Sequence, residues 1–136
     1  MDELVIDTSV VCKWFLVQGE SSLELADELL DQHLMGTTVL VAPASLPLEL
    51  ANVLRYSGMN DSTMQQTLED FHFAHLGLFD LTQDRLVAAS LLARRHDISV
   101  YDALFLALAQ ERGCPLVSAD RKAFGNIKTD VEIRLL

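Results

Sequence analysis

Short β-type runs alternate with amphipathic stretches along the whole chain, and few folds accommodate that order. Leu4-Val5-Ile6 is a short apolar run stopped by Asp7, and a helical stretch to about Val17 follows. Ser21 and Ser22 offer N-caps for a helix carrying Leu23, Ala26, Leu29 and Leu30 on one face. Residues 38–42 (TVLVA) read as a buried strand; Pro43 and Ser45 then open a helix, with Pro47 tolerated in its first turn. Asp61 or Ser62 caps the next helix, expected to run to about His75, and residues 78–81 form a weaker strand candidate. From Thr82 to Arg95, Leu86, Ala89, Leu92 and Ala93 repeat at helical spacing. A brief Ile98-Ser99-Val100 run leads into a long apolar helix from Tyr101 to about Arg112, with Gly113 suited to its C′ position. Residues 115–119 read as a strand, 121–124 as a helical turn and 131–135 as a last strand.

Strands alternating with helices imply a mainly parallel sheet with helices on both faces, an α/β fold of three layers. A chain of 136 residues fits one such domain, spanning residues 1–136, and half of its residues are hydrophobic, enough to fill a core. No apolar run approaches the roughly 18–20 residues that span a bilayer. Met1-Asp2-Glu3 is acidic where a secretory signal would be basic, so the expected location is the cytoplasm. Cys12 and Cys114 fall in apolar segments without metal-ligand spacing and are expected to be reduced core thiols.

The formal net charge of −10, from 10 Lys and Arg against 20 Asp and Glu, excludes a protein that coats nucleic acid through broad electrostatics. The acids either keep a surface soluble or concentrate at one place, where a divalent cation changes their effect.

Their positions bear on that choice. In open parallel sheets, ligands bind outside the carboxyl ends of the strands. Asp7 follows the first strand, Asp120 follows the strand at 115–119, Asp102 starts the long helix, and Glu49 lies about one turn into the helix after residues 38–42. Four carboxylates converging on one edge would repel strongly without a counter-charge. A hard cation, Mg²⁺ or Mn²⁺, would supply it through oxygen ligands, and no His and Cys set suited to zinc accompanies the acids. Each acid also has a structural explanation. Asp7 and Asp120 suit helix caps, Ser99-x-x-Asp102 matches a capping box, and Glu49 fits an exposed helix position. Position alone does not separate the two readings.

The flanking residues carry a family likeness. Val5-Ile6-Asp7-Thr8-Ser9-Val10-Val11 with Lys13-Trp14-Phe15-Leu16, then Glu49-Leu50-Ala51-Asn52-Val53-Leu54, then Tyr101-Asp102-Ala103-Leu104 with Leu106-Ala107-Leu108-Ala109, and finally Leu116-Val117-Ser118-Ala119-Asp120 follow one another in order and spacing. So arranged, the chain resembles a PIN-domain ribonuclease, most closely the VapC-type toxins of toxin–antitoxin pairs. The resemblance implies a parallel α/β/α sandwich and Mg²⁺- or Mn²⁺-dependent cleavage of RNA. It puts the acidic quartet, as catalytic and metal-binding residues, on Asp7, Glu49, Asp102 and Asp120. Ser9 would fall near the site, its hydroxyl holding a water, and Asn52 would buttress the helix of Glu49. Asp7 and Asp102, with Asp120, would be the main ligands, and Glu49 would act through water. Some relatives carry another acid two residues after the fourth; Lys122 stands there in this chain, which puts a second metal in doubt. The resemblance further implies a homodimer and a small antitoxin whose tail presents Arg or Lys to the acidic groove. Residues 58–77 carry no usable family signature.

Other features invite weaker readings. His72 and His75 lie a turn apart without a zinc-binding carboxylate motif, and His33 and His96 likewise read as structural or surface residues. Trp14 and Phe15 suit packing rather than base stacking, and Arg94-Arg95 complements a helix dipole. Arg121 and Lys122, beside Asp120, are candidates for contacting a phosphate of the substrate. The alternatives to a toxin ribonuclease are a housekeeping RNA-processing nuclease without an antitoxin and a non-catalytic binding module on the same fold. An aspartate-nucleophile phosphatase would want a second acid two residues after Asp7, where Ser9 stands.

Overall fold

The computed structural model describes residues 2–16 and 22–136. Val17 and Ser21, at the ends assigned above to the first two helices, lie outside them. Among the described residues the order is β1 (Asp2–Ile6), α1 (Thr8–Phe15), α2 (Leu23–Leu34), β2 (Thr38–Pro43), α3 (Leu46–Arg55), α4 (Asp61–Phe73), β3 (Gly77–Phe79), α5 (Gln83–His96), α6 (Val100–Arg112), β4 (Leu116–Ser118), α7 (Arg121–Phe124) and β5 (Ile133–Leu135).

The five strands form one parallel sheet in the order β3-β2-β1-β4-β5. Buried Leu4, Val5, Ile6, Leu40, Val41, Leu116 and Val117 give the central strands nearly unbroken apolar runs, as a sheet covered on both faces requires. The chain steps from β1 through β2 to β3 in one direction, then returns past β1 to β4 and β5. Right-handed crossovers therefore lay α1 to α4 on one face and α5 to α7 on the other. In keeping with this, α6 packs on β1, β2 and β4 with α5 behind it, while α1 meets α2 and α3. Residues 103–109 of α6 are all buried, because this helix lies between the sheet and α5.

Several local expectations are adjusted. Asn60, rather than Asp61 or Ser62, caps α4, its side chain accepting the Thr63 N–H at 2.8 Å. Ser22 precedes α2 in a left-handed conformation and gives it no side-chain cap. The brief 98–100 run is not a strand. Asp97 ends α5 in the left-handed region, and Ser99 caps α6, so those residues join two helices that pack on each other. Gly113 ends α6 with φ 63°, as its position predicts. Both cysteines are free thiols, Cys12 buried and Cys114 half-buried. Trp14 packs on the core and donates to the Ala26 carbonyl at 2.8 Å, tying α1 to α2. His33 donates from Nε2 to the Ala74 carbonyl and accepts the Leu40 N–H at Nδ1, a structural role. No helix among the described residues is long and apolar enough to cross a membrane.

Candidate active site

The strand order reverses between β1 and β4, and a parallel sheet opens a crevice at the carboxyl end of such a reversal. Asp7 leaves β1 there, and Asp120 lies two residues beyond the end of β4. The register pairs Ile6 with Val117, and the Asp7 N–H donates to the Val117 carbonyl at 3.2 Å. Asp7 therefore stands level with Ser118 on the neighbouring strand.

Asp7 is 5 % exposed and acts partly as the cap its position allows: it accepts the Ser9 N–H at 3.0 Å. Its surroundings exceed a cap's needs. The Ser9 hydroxyl donates to Oδ1, and the Ser118 hydroxyl donates to Oδ2 at 2.5 Å. Ser9 Oγ in turn accepts the Ala119 N–H at 2.9 Å, and Ser118 Oγ accepts the Asp120 N–H at 2.9 Å. Burial pushes the Asp7 carboxyl up to about 6 and the Asp120 charge pushes the same way, against the pull of the Ser118 and Ser9 hydroxyls and the Val10 N–H.

Glu49 reaches the cluster from the first turn of α3, where the Thr8 hydroxyl donates to Oε2 at 2.5 Å. Its Oε1 is buried without a hydrogen-bond partner. Burial raises the Glu49 carboxyl, the Thr8 bond opposes this, and the charges of Asp102 and Asp7 add to the rise. Asp102 occupies the first turn of α6, its N–H held by the Ser99 hydroxyl at 3.1 Å, which is the capping interaction the sequence pattern implies. Burial raises its carboxyl, the Ser99 hydroxyl lowers it, and Asp120 raises it further. Asp120 caps α7 by accepting the Ala123 N–H at 3.0 Å. The charge of Asp120 acts on Asp7 and Asp102, and those of Asp7 and Asp102 act on Glu49, although the four acids come from separate elements on both faces of the sheet.

The hydroxyls of Ser118 and Thr8 were not singled out by sequence reasoning. A hydroxyl residue beside an acid in a motif is a usable signal, but its partner is set by strand register and helix docking. Ser9 lies beside Asp7, and its hydroxyl is engaged by Asp7 Oδ1 and the Ala119 N–H. Asn52 is an exposed residue of α3 itself. Arg121 and Lys122 are exposed beside Asp120, with Arg121 donating to the Leu136 carbonyl at 3.3 Å. His72 and His75 lie on the surface, with their rings 6.0 Å apart. A cavity of about 900 Å³ opens at the opposite, amino-terminal edge of β4, beside His96, Pro115 and Lys128, and includes none of the four acids.

Among the described residues no group of three or more His, Cys, Asp or Glu side chains is arranged to hold a metal ion as it stands. The donor chemistry nevertheless suits a hard divalent cation. Every acid offers carboxylate oxygen, mutual charge opposes ionisation of Asp7, Glu49 and Asp102, and Glu49 Oε1 is buried and unpaired.

Known proteins match this chain over nearly its full length. Ribonuclease VapC1 of Mycobacterium tuberculosis is 27 % identical over 141 aligned residues, covering 100 % of this chain and 99 % of that protein. Among solved structures, PAE2754 of Pyrobaculum aerophilum superposes with a TM-score of 0.72 at 18 % identity, covering 98 % of this chain and 84 % of that one. VapBC2 of Rickettsia felis, bound to a DNA fragment from its promoter, gives 0.68 at 16 % identity, with 98 % of each chain covered. VapC20 of M. tuberculosis, a sarcin–ricin loop cleaving toxin, gives 0.65 at 18 % identity, covering 93 % of this chain and 98 % of that one. The PIN domain model matches residues 4–129, a span that contains all four acids, the last three residues of β1 and the whole of β2, β3 and β4, with the edge strand β5 beyond it. This chain belongs to the PIN-domain family.

Proposed function

We propose that this protein is a metal-dependent endoribonuclease, the toxin of a VapBC-type pair, with its active site at the Asp7, Glu49, Asp102 and Asp120 cluster. The carrying observation is the convergence of the four carboxylates at the switch point, where burial and mutual charge raise Asp7, Glu49 and Asp102 together. A purely structural set of caps would leave its acids in solvent, where ionisation costs little.

Mg²⁺ is the proposed cofactor, with Mn²⁺ an alternative, and Asp7, Asp102 and Asp120 would hold it, with Glu49 taking part directly or through water. When bound, such an ion supplies counter-charge for the acids, activation of the attacking water and stabilisation of the leaving oxygen. Ser9 keeps Asp7 Oδ1 directed by its own two bonds. Glu49, whose carboxyl is raised by burial and whose buried Oε1 has no hydrogen-bond partner, would bind the ion or accept a proton from water. Arg121 and Lys122 would contact a phosphate of the RNA beside Asp120.

The match to a protein named a ribonuclease supports the RNA substrate, and the VapBC pairs among the structural relatives support an antitoxin partner. We place the reaction in the cytoplasm and expect a homodimer.

Asp7→Asn should cut Mg²⁺-dependent RNA cleavage by at least about a hundredfold while leaving the circular dichroism spectrum unchanged. Full activity in that variant, or undiminished activity in EDTA, would remove the proposed mechanism. Co-expression with the adjacent gene product checks the partner: a toxin should co-purify with a small protein that suppresses its cleavage, and a housekeeping nuclease should not.

A further inference from the structure

We propose that Ser118 is a positioning residue, whose single hydroxyl fixes Asp7 and Asp120 relative to each other so that the pair can bind a divalent cation. The inference rests on the metal-dependent reading above and concerns a residue outside the acidic quartet.

Strand geometry is the first reason. β1 and β4 are parallel neighbours in the register Ile6 to Val117, so the next residue on each strand, Asp7 and Ser118, stand side by side. Leu116 and Val117 precede Ser118 as buried aliphatic residues, and Ser118 itself is 0 % exposed. A third aliphatic side chain would suit a strand covered on both faces. A buried hydroxyl is kept at a desolvation cost unless its donor and acceptor capacities are both used.

Both are used: the two close partners of Ser118 Oγ are Asp7 Oδ2 and the Asp120 N–H, and the Ser9 hydroxyl, at 3.5 Å, is a longer contact whose own proton goes to Asp7 Oδ1. A hydroxyl has one proton to give and lone pairs to accept. The Asp120 N–H can only donate, so it takes a lone pair of Ser118 Oγ, at 2.9 Å. The proton therefore points to Asp7 Oδ2, at 2.5 Å. One oxygen atom thus joins the carboxylate that ends β1 to the backbone that presents Asp120 after β4. Ser9 cannot replace it: its hydroxyl pairs Asp7 Oδ1 with the Ala119 N–H and leaves Oδ2 and Asp120 untouched. Without Ser118, Asp7 keeps its Ser9 contacts but can turn about its last torsion, and the Asp120 N–H loses its acceptor. Groups that orient metal ligands in this way typically account for about 10–100-fold in metal affinity.

The test is Mn²⁺ affinity, read by the electron paramagnetic resonance signal of free Mn²⁺ without RNA, on parent protein, Ser118→Ala and Ser118→Thr. Ser118→Ala should bind Mn²⁺ about tenfold or more weakly, and Ser118→Thr, which restores the hydroxyl on a strand-favouring side chain, should recover most of the loss. Parent-like affinity in Ser118→Ala overturns the inference, as does equal weakening in both variants, which would assign the effect to volume. Should Ser118→Ala lose its native circular dichroism, Ser118→Cys takes its place, keeping the bulk with a poorer donor. Weakened binding in the Cys variant supports the role, and unchanged binding refutes it. A parent protein that binds no Mn²⁺ overturns the metal reading of the whole site along with this inference, which separates the two failures.

Discussion

Asp7 carries the cost of the site at the scale of one residue. Its carboxyl titrates near 6 instead of the usual range near 4, because it is buried and faces Asp120. The folded chain therefore binds more protons than the unfolded chain between those two values. Stability contributed by the protonated form is complete below about pH 4 and is lost as pH rises through 6. Glu49 and Asp102 are raised in the same direction. We expect the metal-free protein to melt at a lower temperature at pH 7.5 than at pH 5, with a stability loss of about 1–1.5 kcal/mol for Asp7 alone, since part of its contribution is already gone at pH 5. Saturating Mg²⁺ should close most of that gap, and a melting series at both pH values with and without the ion checks it. Asp7→Asn should raise the stability of the metal-free protein at pH 7.5 by about 1–3 kcal/mol while destroying activity, the usual opposition between a strained site and a stable fold.

At the scale of elements, α6 is the member on which the site depends most. It carries Asp102 on its first turn, fills the space between the sheet and α5 with residues 103–109, and ends at Gly113 in the left-handed region. A side chain with a Cβ pays about 1 kcal/mol there even though nothing lies within 4 Å to clash with it. Gly113→Ala should therefore lower stability in urea by about 1 kcal/mol with cleavage little changed, since Asp102 lies at the far end of the helix. Phe105→Ala, at 1 % exposure, removes a large side chain from the core and should cost about 3–5 kcal/mol. The apolar periodicity of α5 and α6 and the glycine stop are legible in the chain. The 98–100 run is the instructive exception. Three residues with two β-branched members resemble a strand locally, yet Asp97 and Ser99 supply a helix end and a helix start on either side. Cap chemistry decided that segment.

For the whole molecule, charge decides how a substrate could be held. With 20 acids against 10 bases, the surface offers a polyanion little attraction. RNA affinity should rise with Mg²⁺ and depend only shallowly on monovalent salt. Lys122→Ala should weaken RNA binding two- to fivefold and reduce the salt slope by about one, measured by fluorescence anisotropy with an uncleavable RNA. An unchanged slope would place the phosphate contact elsewhere.

The sequence by itself determined the α/β class, the order of the elements and the positions of the four acids, because periodicity, caps and strand-end residues are local properties. It also carried the family likeness that the match over residues 4–129 bears out. The tertiary structure alone decided the strand order, which makes the β1–β4 boundary a crevice and brings Asp7 and Asp120 to its two sides. It likewise decided which hydroxyl meets which acid. Ser118 lies 111 residues from Asp7 and Thr8 lies 41 from Glu49. Only strand register and helix docking bring such partners together, and a linear pattern contains neither.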